Sequence, residues 1–219
     1  MTYQASDFPG RSPVYRRWQD QPATPVGDTL APLVTGGAGG AQCRLRDLSA
    51  LPRGGLRGAD TQALLQEAGY ALPAQPNQLV QSGATLIARL SQTEHWVLDT
   101  DPAAPSDLPA VQAGRRVYTL PCQDSHAWLV LSGPARAEVM AKVCGVDMRP
   151  AAFAPGALAQ TSVALVSAIV LHHQLEGEDV FSLLCDSAYA DYLWGALLDA
   201  MAEFDDAAIG SGAPPDASA

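Results

Sequence analysis

Positive charge is scarce in this chain. Thirteen lysines and arginines stand against 23 aspartates and glutamates, for a net charge of −10. An acidic chain repels phosphate backbones, which argues against nucleic acid as a partner. Long apolar runs are also lacking. None approaches the roughly 20 residues that a membrane-spanning helix needs. The first thirteen residues, MTYQASDFPGRSP, have no basic region followed by an apolar one, so no secretory signal is expected. Aromatic residues make up only 6% of the chain, so a core must be built mainly from Leu, Val and Ala. The four cysteines, Cys43, Cys122, Cys144 and Cys185, form no CxxC pair. They read as buried thiols of a cytoplasmic protein.

What is present divides into four segments. Residues 1–42 hold 11 prolines and glycines and show no sustained apolar period. They read as an extended arm that is either partner-binding, disordered or folded back on its own domain. Phe8, Tyr15, Arg16, Arg17 and Trp18 are residue types that anchor interfaces, and the last four are taken as candidate partner-binding residues. The arm's TGGAGGA fits neither GK[ST] nor GxGxxG and follows no strong strand, so it is not read as a phosphate loop. Residues 43–121 and 122–204 are two α+β units. Residues 205–219 are a small, polar, acidic stretch expected to be a disordered tail.

The two units repeat one layout. Leu56 and Gly58 precede a helix with Leu64, Leu65 and Ala68 on one face. Leu131 and Gly133 hold the same places 75 residues later, followed by Val139, Met140 and Val143. Gly69 and Gly145 are read as the helix ends. Each helix is followed by a proline-broken loop and then strands: GATLIARL and HWVLDT in the first unit, QTSVALVSAIVLHH and VFSLLCD in the second. Each unit is expected to close with a helix, SDLPAVQAG in the first and residues 187–204 in the second. Asp186 or Ser187 can cap the latter. One such unit has a sheet with too little apolar cover, whereas two packed together can bury a common core. The fold class is α+β: two similar strand-helix-strand-strand-helix units with helices on one side of the sheets.

The chain offers little catalytic chemistry. Among His95, His126, His172 and His173 no pair has metal-ligand spacing on a helix. His172 and His173 adjoin on a strand, so they point to opposite faces, at an edge or surface position. No GxSxG elbow accompanies SAYAD or QDSHAW. Cys122 near His126 reads as packing rather than as a thiolate pair. No residue is assigned as catalytic or as a metal ligand. Two features offer binding chemistry. Arg44, Arg46, Arg53 and Arg57 make a local positive group where an acidic partner face could dock; Arg44 and Arg46 are taken as partner-binding candidates. Gln160, Thr161 and Ser162 precede an apolar strand and either hydrogen-bond a cofactor or a partner backbone or simply begin the strand.

LRDLSALPRGGLRG, DSHAWLVLSGPAR, VMAKVCGVDMRPAAFAPGALAQTSVALVSAIV and SAYADYLWGALLDA together resemble the gamma subunit of heterotetrameric sarcosine oxidase. The resemblance covers nearly all of residues 43–204 and is most specific over 131–170. It implies part of the folate-binding aminomethyltransferase fold of the glycine-cleavage T-protein, in a chain too short for that family's C-terminal barrel. It further implies a small non-catalytic subunit of a flavin- and folate-linked oxidative N-demethylase. Such an enzyme converts sarcosine to glycine, passes the one-carbon unit to tetrahydrofolate or releases it as formaldehyde, and makes hydrogen peroxide. FAD, FMN, NAD, tetrahydrofolate and zinc are then expected on larger flavin-binding and folate-binding subunits and none on this chain. The alternatives are a stand-alone folate-binding module, or a subunit of an enzyme acting on dimethylamine or another N-methylated amine.

Overall fold

The computed structural model describes residues 8–18, 23–32, 37–39, 42–101 and 108–204. The expected tail at 205–219 lies outside them. The arm contributes a small sheet of β1 (Gly10–Arg11), β2 (Ala23–Val26) and β3 (Thr29–Pro32), in the order β1-β3-β2. A five-stranded sheet holds β6 (Arg53–Arg57), β7 (Gln78–Ser82), β8 (Thr85–Arg89), β9 (Glu94–Asp99) and β10 (Tyr118–Leu120), in the order β10-β6-β9-β8-β7. A six-stranded sheet holds β4 (Gly37–Gly39), β5 (Arg44–Asp47), β11 (His126–Ser132), β12 (Leu158–Val163), β13 (Val166–Leu175) and β14 (Glu178–Asp186). Its order is β12-β13-β14-β11-β5-β4. Every pairing in the two large sheets is antiparallel. The helices are α1 (Thr61–Glu67), the single turn α2 (Cys122–Ser125), α3 (Arg136–Val143) and α4 (Ala190–Met201).

The period-two alternation of strands builds the layers. Trp128, Val130, Leu171 and Leu184 point from the six-stranded sheet onto Leu86, Trp96 and Leu98 of the five-stranded one. The alternate residues Leu129, Leu131 and Leu183 meet Val139 and Met140 of α3 and Leu193 and Leu197 of α4. On the far side, Leu56, Ile87 and Val97 meet Leu64 and Leu65 of α1. Each side chain buried this way contributes roughly 1.5–3 kcal/mol relative to exposure. The layers thus run α1, five strands, six strands, α3 with α4. The α+β class holds, but the helices cover both outer faces, because each sheet gives its inner face to the other sheet. None of the described helices is long and apolar enough to cross a membrane.

The repeated glycines have one physical reason. Gly58 and Gly133 end β6 and β11 with φ of 147° and 100°, a region that side chains disfavour. A Cβ at Gly58 would lie 1.9 Å from the Arg116 carbonyl oxygen, and one at Gly133 would lie 2.4 Å from that of Gln42. Each glycine lets a neighbouring chain cross directly beside the strand-to-helix turn.

Four details differ from the sequence reading. Gly69 ends α1 with φ of 87°, but Gly145 is not left-handed; Cys144 turns extended instead and bridges Val163 of β12. QTSVALVSAIVLHH is two strands, broken by a two-residue turn at Ala164 and Leu165. The described part of SDLPAVQAG, residues 108–114, carries no helix. Leu108 and Val111 pack there beside the α1 core, and Pro109 lacks the donor that a helix needs. Finally, β5 leaves the first half of the chain to pair with β11 of the second.

Candidate functional site

At one end of the sandwich the two sheets part into a cleft of about 640 Å³. The register sets its walls. Arg57 and Glu94 are directly opposed on β6 and β9. Glu94 is gripped twice: its Oε2 accepts from Arg57 Nε at 2.8 Å and its Oε1 from Trp96 Nε1 at 3.0 Å. The Trp96 ring meets the His126 ring edge-on, with centroids 4.8 Å apart. His126 starts β11, with Nδ1 2.8 Å from Ser125 Oγ. Burial pushes its pKa down, so the imidazole is neutral at neutral pH.

The opposite wall is the β12–β13 hairpin, which carries Gln160, Thr161, Ser162, Leu165 and Ile169. The structure therefore brings all three sequence-predicted polar residues to the cleft. Their side chains are used differently. Gln160 Nε2 donates to the Leu90 carbonyl at 2.7 Å and to Asn77 Oδ1 at 2.8 Å, tying the hairpin to the facing half of the chain. Thr161 Oγ1 lies 4.0 Å from Cys144 Sγ. Ser162 is exposed at the rim, opposite Ser167. Sequence reasoning missed Glu94 and Trp96. The available signal was their i, i+2 spacing on one strand, which places both on one face.

The cleft carries no net charge, since Arg57 and Glu94 neutralise each other. Folate, which the resemblance implies, ends in carboxylates. The one cation on this lining is already paired, and the interior behind it is filled by Trp96, Leu184 and their neighbours. The lining therefore does not fit a whole folate. Below it, burial raises the Cys122 thiol to about 12, so it stays protonated and packs against Gly55. Among the described residues no group of three or more His, Cys, Asp or Glu is placed to hold a metal.

The arm's aromatic and arginine side chains engage their own chain. Trp18 is 2% exposed, and its Nε1 donates to Asp47 Oδ2 at 2.9 Å. Tyr15 stands edge-on to it at 5.0 Å. Arg17 forks onto Asp191 at the start of α4, with Nε–Oδ1 at 2.6 Å and Nη2–Oδ2 at 2.8 Å. That bond raises the arginine's pKa and lowers the aspartate's. Arg16 is exposed to solvent. The stretch from Tyr15 to Trp18 is thus anchored on its own domain, because Trp18 gains more from a buried pocket with an acceptor than from exposure.

The arginine group is dispersed by the fold. Arg44 pairs with Glu178 at 2.8 Å and Arg46 with Glu176 at 3.0 Å, both on the β13–β14 hairpin. Arg53 is buried and donates to the carbonyls of Ser49, Leu51, Gln123 and His126. Burial lowers its pKa to about 10, which leaves it charged at neutral pH. His172 and His173 do point to opposite faces, but β13 is an inner strand and both are buried. His172 Nδ1 lies 2.7 Å from the Phe153 carbonyl. Between the sheets, Trp128 Nε1 donates to Ser182 Oγ at 2.7 Å, and that oxygen lies 2.7 Å from His173 Nε2.

Comparison with known proteins places this geometry. The model of the GCVT N-terminal domain family matches residues 65–215, more than half of the chain. A heterotetrameric sarcosine oxidase from Corynebacterium sp. U-96, solved with pyrrole 2-carboxylate, contains a chain of the same fold, with a TM-score of 0.69. At 23% identity the match covers 89% of this chain and 95% of that one. The glycine cleavage system aminomethyltransferase T from Bartonella henselae matches with a TM-score of 0.63 and 17% identity, over 86% of this chain. This chain spans 56% of the length of that enzyme. A comparison with curated proteins finds no match. The chain belongs to the GCVT N-terminal domain family, with a partial aminomethyltransferase-like fold.

Proposed function

We propose that this chain is the small, non-catalytic subunit of a cytoplasmic oxidative N-demethylase of the sarcosine oxidase kind. It braces the folate-dependent part of a hetero-oligomer. The observation that carries this reading is the matched extent: the fold corresponds to 95% of a chain from a heterotetrameric sarcosine oxidase but to 56% of an aminomethyltransferase. The chemistry of the cleft supports it, because a neutral lining with a protonated Cys122 offers neither a nucleophile nor a counter-charge for folate. FAD, FMN, NAD, tetrahydrofolate and zinc then belong to larger flavin-binding and folate-binding subunits. The N-methylated substrate, sarcosine or a relative such as dimethylamine, also sits on those subunits.

The test is purification from the native cell through a tag on this chain. The expected product is a yellow assembly with larger subunits that oxidises sarcosine or another N-methylamine. The isolated chain is expected to give no heat with tetrahydrofolate. A colourless chain that purifies alone and binds tetrahydrofolate would contradict the proposal and favour a stand-alone folate-binding module.

A further inference from the structure

The turn between β12 and β13 is built from the wrong residues for its geometry. Ala164 and Leu165 both lie in the left-handed region, with φ of 48° and 68°. Two-residue hairpins of this kind favour Asn-Gly or Gly-Gly, because a side chain there is strained. The Ala164 amide donates to the Val143 carbonyl at 2.7 Å and its side chain packs beside the core, whereas Leu165 is 93% exposed and no packing offsets the strain at its own position. Strain and an exposed apolar side chain thus coincide at one tip.

The surroundings say what would cover it. Residues 150–175 contain no Asp, Glu, Lys or Arg, on a chain with a net charge of −10. Depletion of charge marks the centre of a protein interface. The hairpin closes at the Val163–Val166 pair, and β12 is the outer strand of its sheet. The alternation of an antiparallel ladder then turns the backbone amides of Gln160 and Ser162 away from β13. Beside them the cleft offers Trp96 and Ile169 as apolar walls and a self-neutralised Arg57–Glu94 pair. A charged ligand finds no counter-charge here. A neutral, extended stretch of polypeptide finds backbone partners, an apolar slot and an anchor.

We propose that the Leu165 hairpin tip and the adjoining cleft are the docking surface for an uncharged, extended segment of a larger subunit, with Leu165 as its anchor. The inference rests on the subunit reading above and deepens it. The strained turn trades stability of the free chain for contact in the assembly.

Two variants test this in the native complex, purified through a tag on this chain. Leu165→Gly removes the anchor and the strain at its own position, leaving Ala164 unchanged. Its isolated chain is expected to melt about 2–4 °C higher than the parent. Its affinity for the larger subunits is expected to fall about tenfold or more. Leu165→Asp changes only a solvent-facing side chain, so it keeps the fold and loses at least as much binding. If the parent recovers the yellow assembly and both variants recover it equally well, the docking surface is overturned while the subunit reading stands. If the parent itself recovers no larger subunit, the subunit reading fails, and the occupant proposed here fails with it. If light scattering shows that Leu165→Gly instead breaks a dimer of this chain, the occupant is a second copy, and the proposed one is wrong.

Discussion

The two strand-glycine-helix units share a beginning and differ in their endings. β6–Gly58–α1 and β11–Gly133–α3 begin alike, each with a left-handed glycine against a crossing backbone. The first then stops its helix on Gly69 and continues through short hairpins, β7 to β9. The second runs extended at Cys144, bridges to β12 and enters a longer hairpin with a strained tip. What the units share is the turn that any close-packed copy must make. They diverge around the open end of the sandwich, where, among the described residues, the second unit supplies the exposed apolar tip of Leu165. A second contrast lies within that unit. The turn from β13 to β14 is also left-handed, at Glu176 and Gly177, but it uses a glycine and a charge paired with Arg46. The β13–β14 tip has a glycine at its second position and a salt-bridged side chain at its first, whereas the β12–β13 tip is held through Ala164 and leaves Leu165 strained and exposed.

The shared beginnings carry the largest expected effect. Gly58→Ala and Gly133→Ala each force a Cβ toward a backbone carbonyl and are expected to cost about 3 kcal/mol or more of stability. Urea denaturation measures this. A cost under 1 kcal/mol at either site would mean that the two turns are not equivalent.

Next comes a pH effect that separates the two sheets. Burial holds His95 in the five-stranded sheet and His173 in the six-stranded sheet at pKa values of about 4, against 6.5 for the free side chain. The unfolded chain therefore binds more protons between those values. Stability is complete above about pH 6.5 and is lost as the pH falls toward 4, by a few kcal/mol in total. Neither ring nitrogen of His95 has a hydrogen-bond partner, whereas both of His173 do. His95→Leu is thus expected to stabilise the chain and to reduce the slope of the urea midpoint against pH. An unchanged slope would remove His95 from the account.

The smallest effect sharpens the contrast of helix ends. Gly69→Ala meets a left-handed φ and is expected to cost about 1 kcal/mol. Gly145→Ala meets open space and an ordinary φ, and is expected to change the melting temperature little.

The sequence made the local devices legible and left the long-range ones hidden. Helices α1, α3 and α4 followed from apolar spacing, and Gly58 and Gly133 from their matched positions. Asp186 accepts from the Ala188 amide and so caps the short 3-10 turn Ser187–Tyr189 that leads into α4, while α4 itself starts at Ala190 without a side-chain cap. The β12–β13 turn was hidden because Ala and Leu are not turn residues; here tertiary context overrides propensity. Trp18 looked like an interface anchor because nothing in its neighbourhood announces Asp47 as its acceptor. Arg44 and Arg46 looked free because Glu178 and Glu176 lie more than a hundred residues away. The opposite orientation of His172 and His173 was legible, but not their burial, which depends on both faces of β13 being covered. Gln160, Thr161 and Ser162 were found at the cleft because three successive polar residues interrupt an apolar run. The Arg57–Glu94–Trp96 wall needed the register of β6 and β9.

The most direct measurement is hydrogen exchange of this chain, free and within its native assembly, read on peptides from the two hairpin turns. The account predicts that residues 159–167 slow markedly on assembly while the turn at 176–177 exchanges alike in both states. Equal exchange of 159–167 in the two states, with protection appearing elsewhere, would contradict it.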